Sequence, residues 1–214
     1  MRPATEHLTR VRQRSTVAVA IAAVVGGIVL GAIDLLAQTT LPYPWANLAN
    51  SSAVWAIAAF AFATWVRYGP LRCVVAAAVL LVVAVQSYRL AAILTMDNDP
   101  AILVSPVNIL WLAFGVVAGC VFGLAGHLRA VRGRWLAAVG AAFPVAVLLA
   151  EAALFAARGG TTGQRETALI EVLLAVVAAV LAGRGLFGKV MALAIAVPLA
   201  AVGRVAFGLA GFST

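Results

Sequence analysis

The chain has 214 residues, of which 64% are hydrophobic and only 10% are charged, and its mean hydropathy is +1.09. This composition excludes an ordinary soluble protein, and the long uncharged runs leave no segment that could form a separate soluble domain. The net charge of +8 comes from basic residues in short loops between apolar runs. That pattern is typical of orientation signals in membrane proteins, so nucleic acid is not an expected partner. The sequence therefore predicts an all-α, polytopic transmembrane helix bundle surrounded by the lipid bilayer.

A basic segment precedes the first apolar run. Residues 1–15 contain four arginines and are predicted to form a cytoplasmic segment, followed by one transmembrane domain over residues 16–214. The first apolar run has the basic flank of a secretory signal peptide, but it is long and no clean small-x-small cleavage site follows it. It is therefore predicted to be an uncleaved membrane anchor.

Seven apolar runs have the length, about 17 to 25 residues, that predicts a membrane-spanning helix. The second and the sixth are short, so a bundle of six spans is the alternative to seven. The predicted spans cover residues 16–37, 51–67, 73–94, 106–126, 135–156, 167–183 and 189–211.

The loops between these spans alternate in charge. Basic residues lie before the first span and after the second, fourth and sixth spans, whereas residues 38–50 and 95–105 contain none. The remaining loop, 157–166, is an exception because it contains Arg158 and Arg165. Since cytoplasmic loops are enriched in Lys and Arg, the N-terminus is predicted to be cytoplasmic and the C-terminus to lie outside.

Five ionisable residues fall inside the predicted spans, where insertion costs roughly 2.5 to 3.5 kcal/mol for a charge at a helix centre. Under the predicted topology all five lie in the outer half of the bilayer, on five different helices. We expect them to form one inward-facing polar cluster, with Gln86 and Tyr88 close to one of its arginines. The five residues are Asp34, Arg89, Glu151, Glu171 and Arg204.

Two interpretations of this cluster stay open. In the first, the charges line a site that binds or transports a small solute, with the arginines holding an anionic group or neutralising the acids. In the second, the charges form structural ion pairs, and the protein is a non-catalytic membrane scaffold or partner subunit. A helix face containing Gly27 and Gly31 would then pack against another membrane protein or a second copy of the chain.

A polar stretch, PYPWANLANSSAVW at residues 42–55, separates the first two spans. Its prolines disfavour a helix, and Ser51 or Ser52 is a candidate N-cap for a helix of about 16 residues, too short for the hydrocarbon core. The start of that helix is predicted to lie below the outer surface, where its dipole would stabilise an anion or a carboxylate. Asn47 and Asn50 would lie at the entrance of the site. The alternative is a simple capped turn.

The sequence contains no recognisable catalytic motif: HExxH, GxSxG and the phosphate loop are all missing. The protein is therefore predicted not to be an enzyme, and the pair Glu151 and Glu171 is the one arrangement that could support carboxylate chemistry. No cofactor or metal is predicted, because Cys73 and Cys120 lie within apolar runs without partnering ligand residues.

Two adjacent stretches resemble a known family. The stretch LANSSAVWAIAAFAFA follows a first helix of the form GGIVLGAIDLLAQ. Together they resemble an actinobacterial family of small multi-spanning membrane proteins that is classed as a domain of unknown function, DUF6518. The resemblance covers mainly residues 25–65 and the overall hydropathy plan. It implies a multi-pass protein of a bacterial plasma membrane, and it brings no activity, substrate or cofactor.

Overall fold

The computed structural model describes residues 15–67, 69–158 and 163–209, so most of the predicted basic segment over 1–15 lies outside the described residues. In the described part of the chain the regular structure is helical, which confirms the all-α prediction. The helices are α1 (Thr16–Thr40), α2 (Trp45–Ala49), α3 (Ser52–Val66), α4 (Pro70–Met96), α5 (Pro106–Ala130), α6 (Arg134–Arg158), α7 (Gln164–Ala182) and α8 (Gly185–Leu209), with a 3₁₀ helix at Pro100–Val104.

Each predicted span coincides with one helix. Among the described helices, α1, α4, α5, α6 and α8 are long and apolar enough to cross a membrane. Helix α3 has only 15 residues, fewer than the roughly 20 that a bilayer core requires. Helix α7 has 19 residues but includes Arg165, Glu166 and Glu171. The chain is thus a membrane protein with several spanning helices, and the count of seven stays a prediction that depends on α3 and α7.

Helix α6 is the most buried helix of the bundle: more than half of its residues are buried, and it packs against α3, α5, α7 and α8. Helix α4 packs against α1, α3 and α5. Large apolar side chains on α1 and α8, such as Ile21, Ile28 and Val197, are exposed. Such apolar outer faces fit a lipid surrounding.

Small residues allow several of these helices to approach closely. A Cβ atom on Gly27 of α1 would lie 2.5 Å from the backbone oxygen of Leu80 on α4, and Gly31 faces the same helix. On α5, Gly119 and Gly123 meet α4 in the same way. The face containing Gly27 and Gly31, which was predicted to pack against a partner protein, is therefore covered by α4 of the same chain. A partner or a second copy would have to use a different face.

Candidate functional site

The first turn of α3 is capped by two side chains. Ser51 Oγ accepts hydrogen bonds from the backbone N–H groups of Ala53 at 3.1 Å and Val54 at 3.4 Å. The carboxylate of Glu151, on α6, accepts from the N–H groups of Ser52 at 3.0 Å and Ala53 at 2.7 Å. It also accepts from the Ser51 hydroxyl at 2.7 Å. The negative group expected at this helix N-terminus is thus a carboxylate of the chain itself.

Glu171, on α7, is the second acid at this point. Its side chain is fully buried, and its Oε1 lies 3.3 Å from Ser51 Oγ. Because a hydroxyl carries one proton, Ser51 can donate to only one carboxylate at a time, and Glu151 is the nearer acceptor. Oε2 of Glu171 has no hydrogen-bond partner among the described residues. Glu171 is therefore the less satisfied acid of the pair.

Helix α7 presents a polar face to this region. Gln164, Thr167 and Glu171 are spaced by three and four residues, which places them on one side of the helix. The Thr167 hydroxyl donates to the backbone oxygen of Gly163 at 2.7 Å and accepts from Asn47 Nδ2 at 3.2 Å. Asn47 thus contacts the polar face of α7, next to the acid pair, on the segment that the sequence assigned to the entrance.

Asp34, on α1, contacts the next turn of α3. Its Oδ2 accepts from the indole N–H of Trp55 at 3.1 Å, whereas its buried Oδ1 has no partner among the described residues. Ser51 and Trp55 are four residues apart and therefore share one face of α3. Asp34, Glu151 and Glu171 thus each contact a residue between Ser51 and Trp55, and these three acids are called the acid cluster below.

Arg89 belongs to a different polar network, between α4 and α5. Its Nε donates to Oδ1 of the buried Asn108 at 3.3 Å, and the Asn108 amide donates to Gln86 Oε1 at 3.2 Å. Tyr88 accepts a short hydrogen bond of 2.6 Å from Gln38 on α1. These bonds link α1, α4 and α5 to one another. They do not bring Arg89, Gln86 or Tyr88 into hydrogen-bond contact with the acid cluster.

Two other predicted site residues make no hydrogen bond to the acids among the described residues. Arg204, on α8, is half-buried and makes no hydrogen bond to another described residue. Asn50 is exposed at the end of α2. The three acids therefore contact the start of α3 and Asn47 contacts α7. Among the described residues, neither intramembrane arginine is hydrogen-bonded to one of the acids.

The structure adds residues that the sequence analysis did not assign to the site. Trp55 donates to Asp34, and Gln164 and Thr167 contribute buried polar groups on the face of α7 that includes Glu171. Arg158, two turns beyond Glu151 on α6, is a basic residue whose charge acts on Glu151. Gln164 and Thr167 could have been predicted from the sequence, because their spacing from Glu171 places all three residues on one helix face. Nothing local distinguishes Trp55 from an interfacial tryptophan.

Comparison with protein families gives one match. Residues 10–211 match the model of a family described as "Family of unknown function (DUF6518)". Comparison with curated proteins and with solved structures finds no match to the chain. The family match confirms the resemblance seen in the first two spans, while the actinobacterial origin stays a prediction. The family match assigns no activity to the chain.

Proposed function

We propose that this chain, which belongs to the family of unknown function DUF6518, binds a small cationic solute at the acid cluster. In this proposal the protein is not an enzyme. It captures or transports the solute in a bacterial plasma membrane, with its N-terminus in the cytoplasm. That orientation places the acid cluster in the outer half of the bilayer, within reach of solutes outside the cell.

One observation carries the proposal. Among the described residues, the buried side-chain atoms without a hydrogen-bond partner are Asp34 Oδ1, Gln164 Oε1 and Glu171 Oε2. All three are oxygen acceptors. Asp34 and Glu171 contact the start of α3, and Gln164 lies two turns before Glu171 on α7. Buried polar groups are nearly always partnered in proteins. Oxygen acceptors are satisfied by hydrogen-bond donors or cations.

The charge balance favours a cationic over an anionic ligand. The acid cluster has three acidic side chains and one basic neighbour, Arg158, whose charge acts on Glu151. The guanidinium of Arg89 is engaged with Asn108 rather than with an acid. The helix N-terminus, which could otherwise attract an anion, is already occupied by Glu151. An ammonium group or a monovalent metal cation would meet acceptors of the right charge.

The test is a thermal unfolding series on the purified protein in detergent. The probes are sodium, potassium, methylammonium, choline and putrescine chlorides, compared at equal ionic strength. A bound cation should raise the unfolding temperature by roughly 5 °C at a hundredfold excess over its dissociation constant. Glu171→Gln should remove that rise. Glu166→Gln is the matched control, because Glu166 is exposed on the same helix and its loss changes the net charge equally.

The proposal is wrong if none of the five cations shifts the unfolding temperature of the wild-type protein, or if Glu171→Gln responds as the wild type does. Native mass spectrometry of the protein as isolated provides an independent measurement. A cationic mass adduct present in the wild type and in Glu166→Gln, but missing from Glu171→Gln, is the expected result.

A scaffold or partner subunit is the second candidate function. It is favoured by Glu151, whose two carboxylate oxygens are both engaged with the start of α3. In that case the acids fix the position of α3 against α6 and α7, and substitutions change stability without any dependence on added cations. The same unfolding series therefore separates the two functions.

A further inference from the structure

A basic groove lies at the end of the bundle opposite the acid cluster. It has a volume of about 820 Å³ and is lined by residues of α3, α5, α6 and α7 and of the loops that follow α3, α5 and α7. Helices α3 and α7 both pack against α6, so the groove runs between two helices over a common floor. Its volume falls within the range of about 300 to 1,000 Å³ that is typical of small-molecule sites.

The wall contributed by α3 changes from apolar to basic along its length. Ile57, Phe60 and Ala61 line the deeper part, and Arg67, which ends the helix, lines the mouth. The ten residue-to-residue steps from Ile57 to Arg67 extend over about 15 Å of helix. This distance matches one leaflet, since the hydrocarbon core is about 30 Å thick. The groove thus has the length and the polarity gradient of a single phospholipid.

The mouth of the groove concentrates positive charge. Arg67, Arg129, Arg132 and Arg184 all line it, and none of the described lining residues is acidic. Arg129 experiences the like charges of Arg67 and Arg184. An anion at the mouth would relieve this repulsion, and arginine donates to phosphate with two parallel N–H groups.

One of these arginines is held in place by the backbone. The guanidinium of Arg184 donates to the carbonyl oxygen of Val131 at 2.7 Å and lies 3.5 Å from that of Ala130. These carbonyls belong to the end of α5, where a positive charge is favoured by the helix dipole. One of the four positive charges at the mouth is therefore held in place by the end of α5.

We propose that the basic groove binds one anionic phospholipid, with its phosphate among the four arginines and an acyl chain along Ile57, Phe60 and Ala61. The apolar inner part of the groove favours a lipid over free phosphate, because free phosphate would contact only the arginines at the mouth. Basic pockets between transmembrane helices are known to suit anionic headgroups. The proposal does not depend on a cation at the acid cluster, which lies at the other end of the bundle.

The experiment titrates the delipidated protein in detergent with dioleoyl-phosphatidylglycerol or dioleoyl-phosphatidylcholine and counts bound lipids by native mass spectrometry. The first phosphatidylglycerol should bind about tenfold more tightly than phosphatidylcholine. Arg67→Gln with Arg132→Gln should reduce this affinity about thirtyfold, because each basic residue near an anionic headgroup contributes about 1 kcal/mol and each 1.4 kcal/mol changes the affinity tenfold. Both arginines are exposed, so the variant keeps the packed interior.

The matched control is Arg134→Gln with Lys189→Gln, which removes two positive charges that do not line the groove. It should bind phosphatidylglycerol as the wild type does. Ala61→Phe tests the apolar part, since Ala61 is exposed and a ring there would obstruct an acyl chain. This variant should lose affinity for phosphatidylglycerol although it keeps all four arginines. Elution as a single species in size-exclusion chromatography and an unchanged helical circular dichroism spectrum confirm that each variant is folded.

Three results would overturn the proposal. The first is equal binding of the two lipids by the wild type. The second is equal loss of binding in the control and in the groove variant. The third is displacement of phosphatidylglycerol by millimolar inorganic phosphate together with an unaffected Ala61→Phe, because that combination identifies a site for a soluble anion.

Discussion

Glu151 and Glu171 lie on either side of one serine hydroxyl but differ in what surrounds them. Glu151 accepts from two backbone N–H groups and from Ser51, whereas Glu171 has only the longer contact to that hydroxyl. Glu151→Gln places an amide NH₂ against backbone donors, and a buried group left unsatisfied costs about 1 to 3 kcal/mol. We therefore expect Glu151→Gln to lower the unfolding temperature in detergent more than Glu171→Gln does. Equal effects would show that the capping bonds contribute nothing specific.

The bond between Asp34 and Trp55 has a testable energy of its own. Trp55→Phe leaves both oxygens of Asp34 without a donor, so it should destabilise the protein by about 1 to 3 kcal/mol. In the double variant with Asp34→Ala, the loss should be smaller than the sum of the two single losses, by about 1 kcal/mol. Trp45→Phe is the control, because Trp45 is exposed. Additive losses in this cycle would contradict a direct interaction.

At the scale of single residues, the sequence predicted where charge enters the membrane but not how the charges are paired. The depth of Asp34, Glu151 and Glu171 was predicted from their positions in the apolar runs, and in the structure all three contact the start of α3. Arg89 was expected beside them because it lies at the same depth. Its guanidinium instead meets Asn108, since pairing depends on which helices are neighbours, and helix neighbours cannot be read from one sequence.

Helix α1 depends on close contact with α4, and one glycine tests this contact. A Cβ atom on Gly31 would lie 2.8 Å from the backbone nitrogen of Tyr88, and backbone atoms cannot move aside as a side chain can. Gly31→Ala should therefore destabilise the protein by about 1 to 3 kcal/mol through overpacking. The control is Gly26→Ala, whose Cβ would meet only the flexible end of Leu80 at 3.4 Å. In that position alanine should be neutral or stabilising, because it is the better helix former.

Thermal unfolding of the two glycine variants in the same detergent is the measurement. If Gly31→Ala and Gly26→Ala unfold at the same temperature, the close contact between α1 and α4 at Gly31 is contradicted. The small-residue face was recognisable from the spacing of Gly27 and Gly31, which share one side of a helix. The sequence did not predict which helix packs on this face, because a small-residue face allows close packing with any neighbouring helix.

The position at which α3 begins was predicted from the sequence, whereas the residue that binds its first N–H groups was not. The prolines and the serine pair predicted a helix beginning after Ser51, and the structure has Ser51 as the N-cap. The short length also suggested that this end lies below the surface and attracts a negative group. That the group is Glu151, 98 residues away from Ala53 in sequence, required the packing of α6 against α3.

The whole molecule raises the question of how a helix of 15 residues could cross a bilayer. Helix α3 is about 22 Å long, while the hydrocarbon core is about 30 Å thick. Backbone N–H groups in lipid have to be satisfied within the protein, and the first N–H groups of α3 are satisfied by Ser51 and Glu151. The helix can therefore begin inside the protein and still connect the two sides. Helix α7 meets its partners at the same depth through Thr167 and Glu171.

We therefore predict that α3 and α7 both cross the membrane. The chain then has seven spans, and its two ends lie on opposite sides of the membrane. Fusion of alkaline phosphatase, which is active only outside, and of green fluorescent protein, which fluoresces only inside, measures this at residue 214. We expect an active phosphatase and a dark fluorescent protein. The loop between α5 and α6 serves as the internal control, because the same topology predicts the reverse pattern for a fusion after Gly133. Fluorescence at residue 214 would mean that α3 or α7 enters the membrane and returns, and the acid cluster would then lie at the tip of a re-entrant segment.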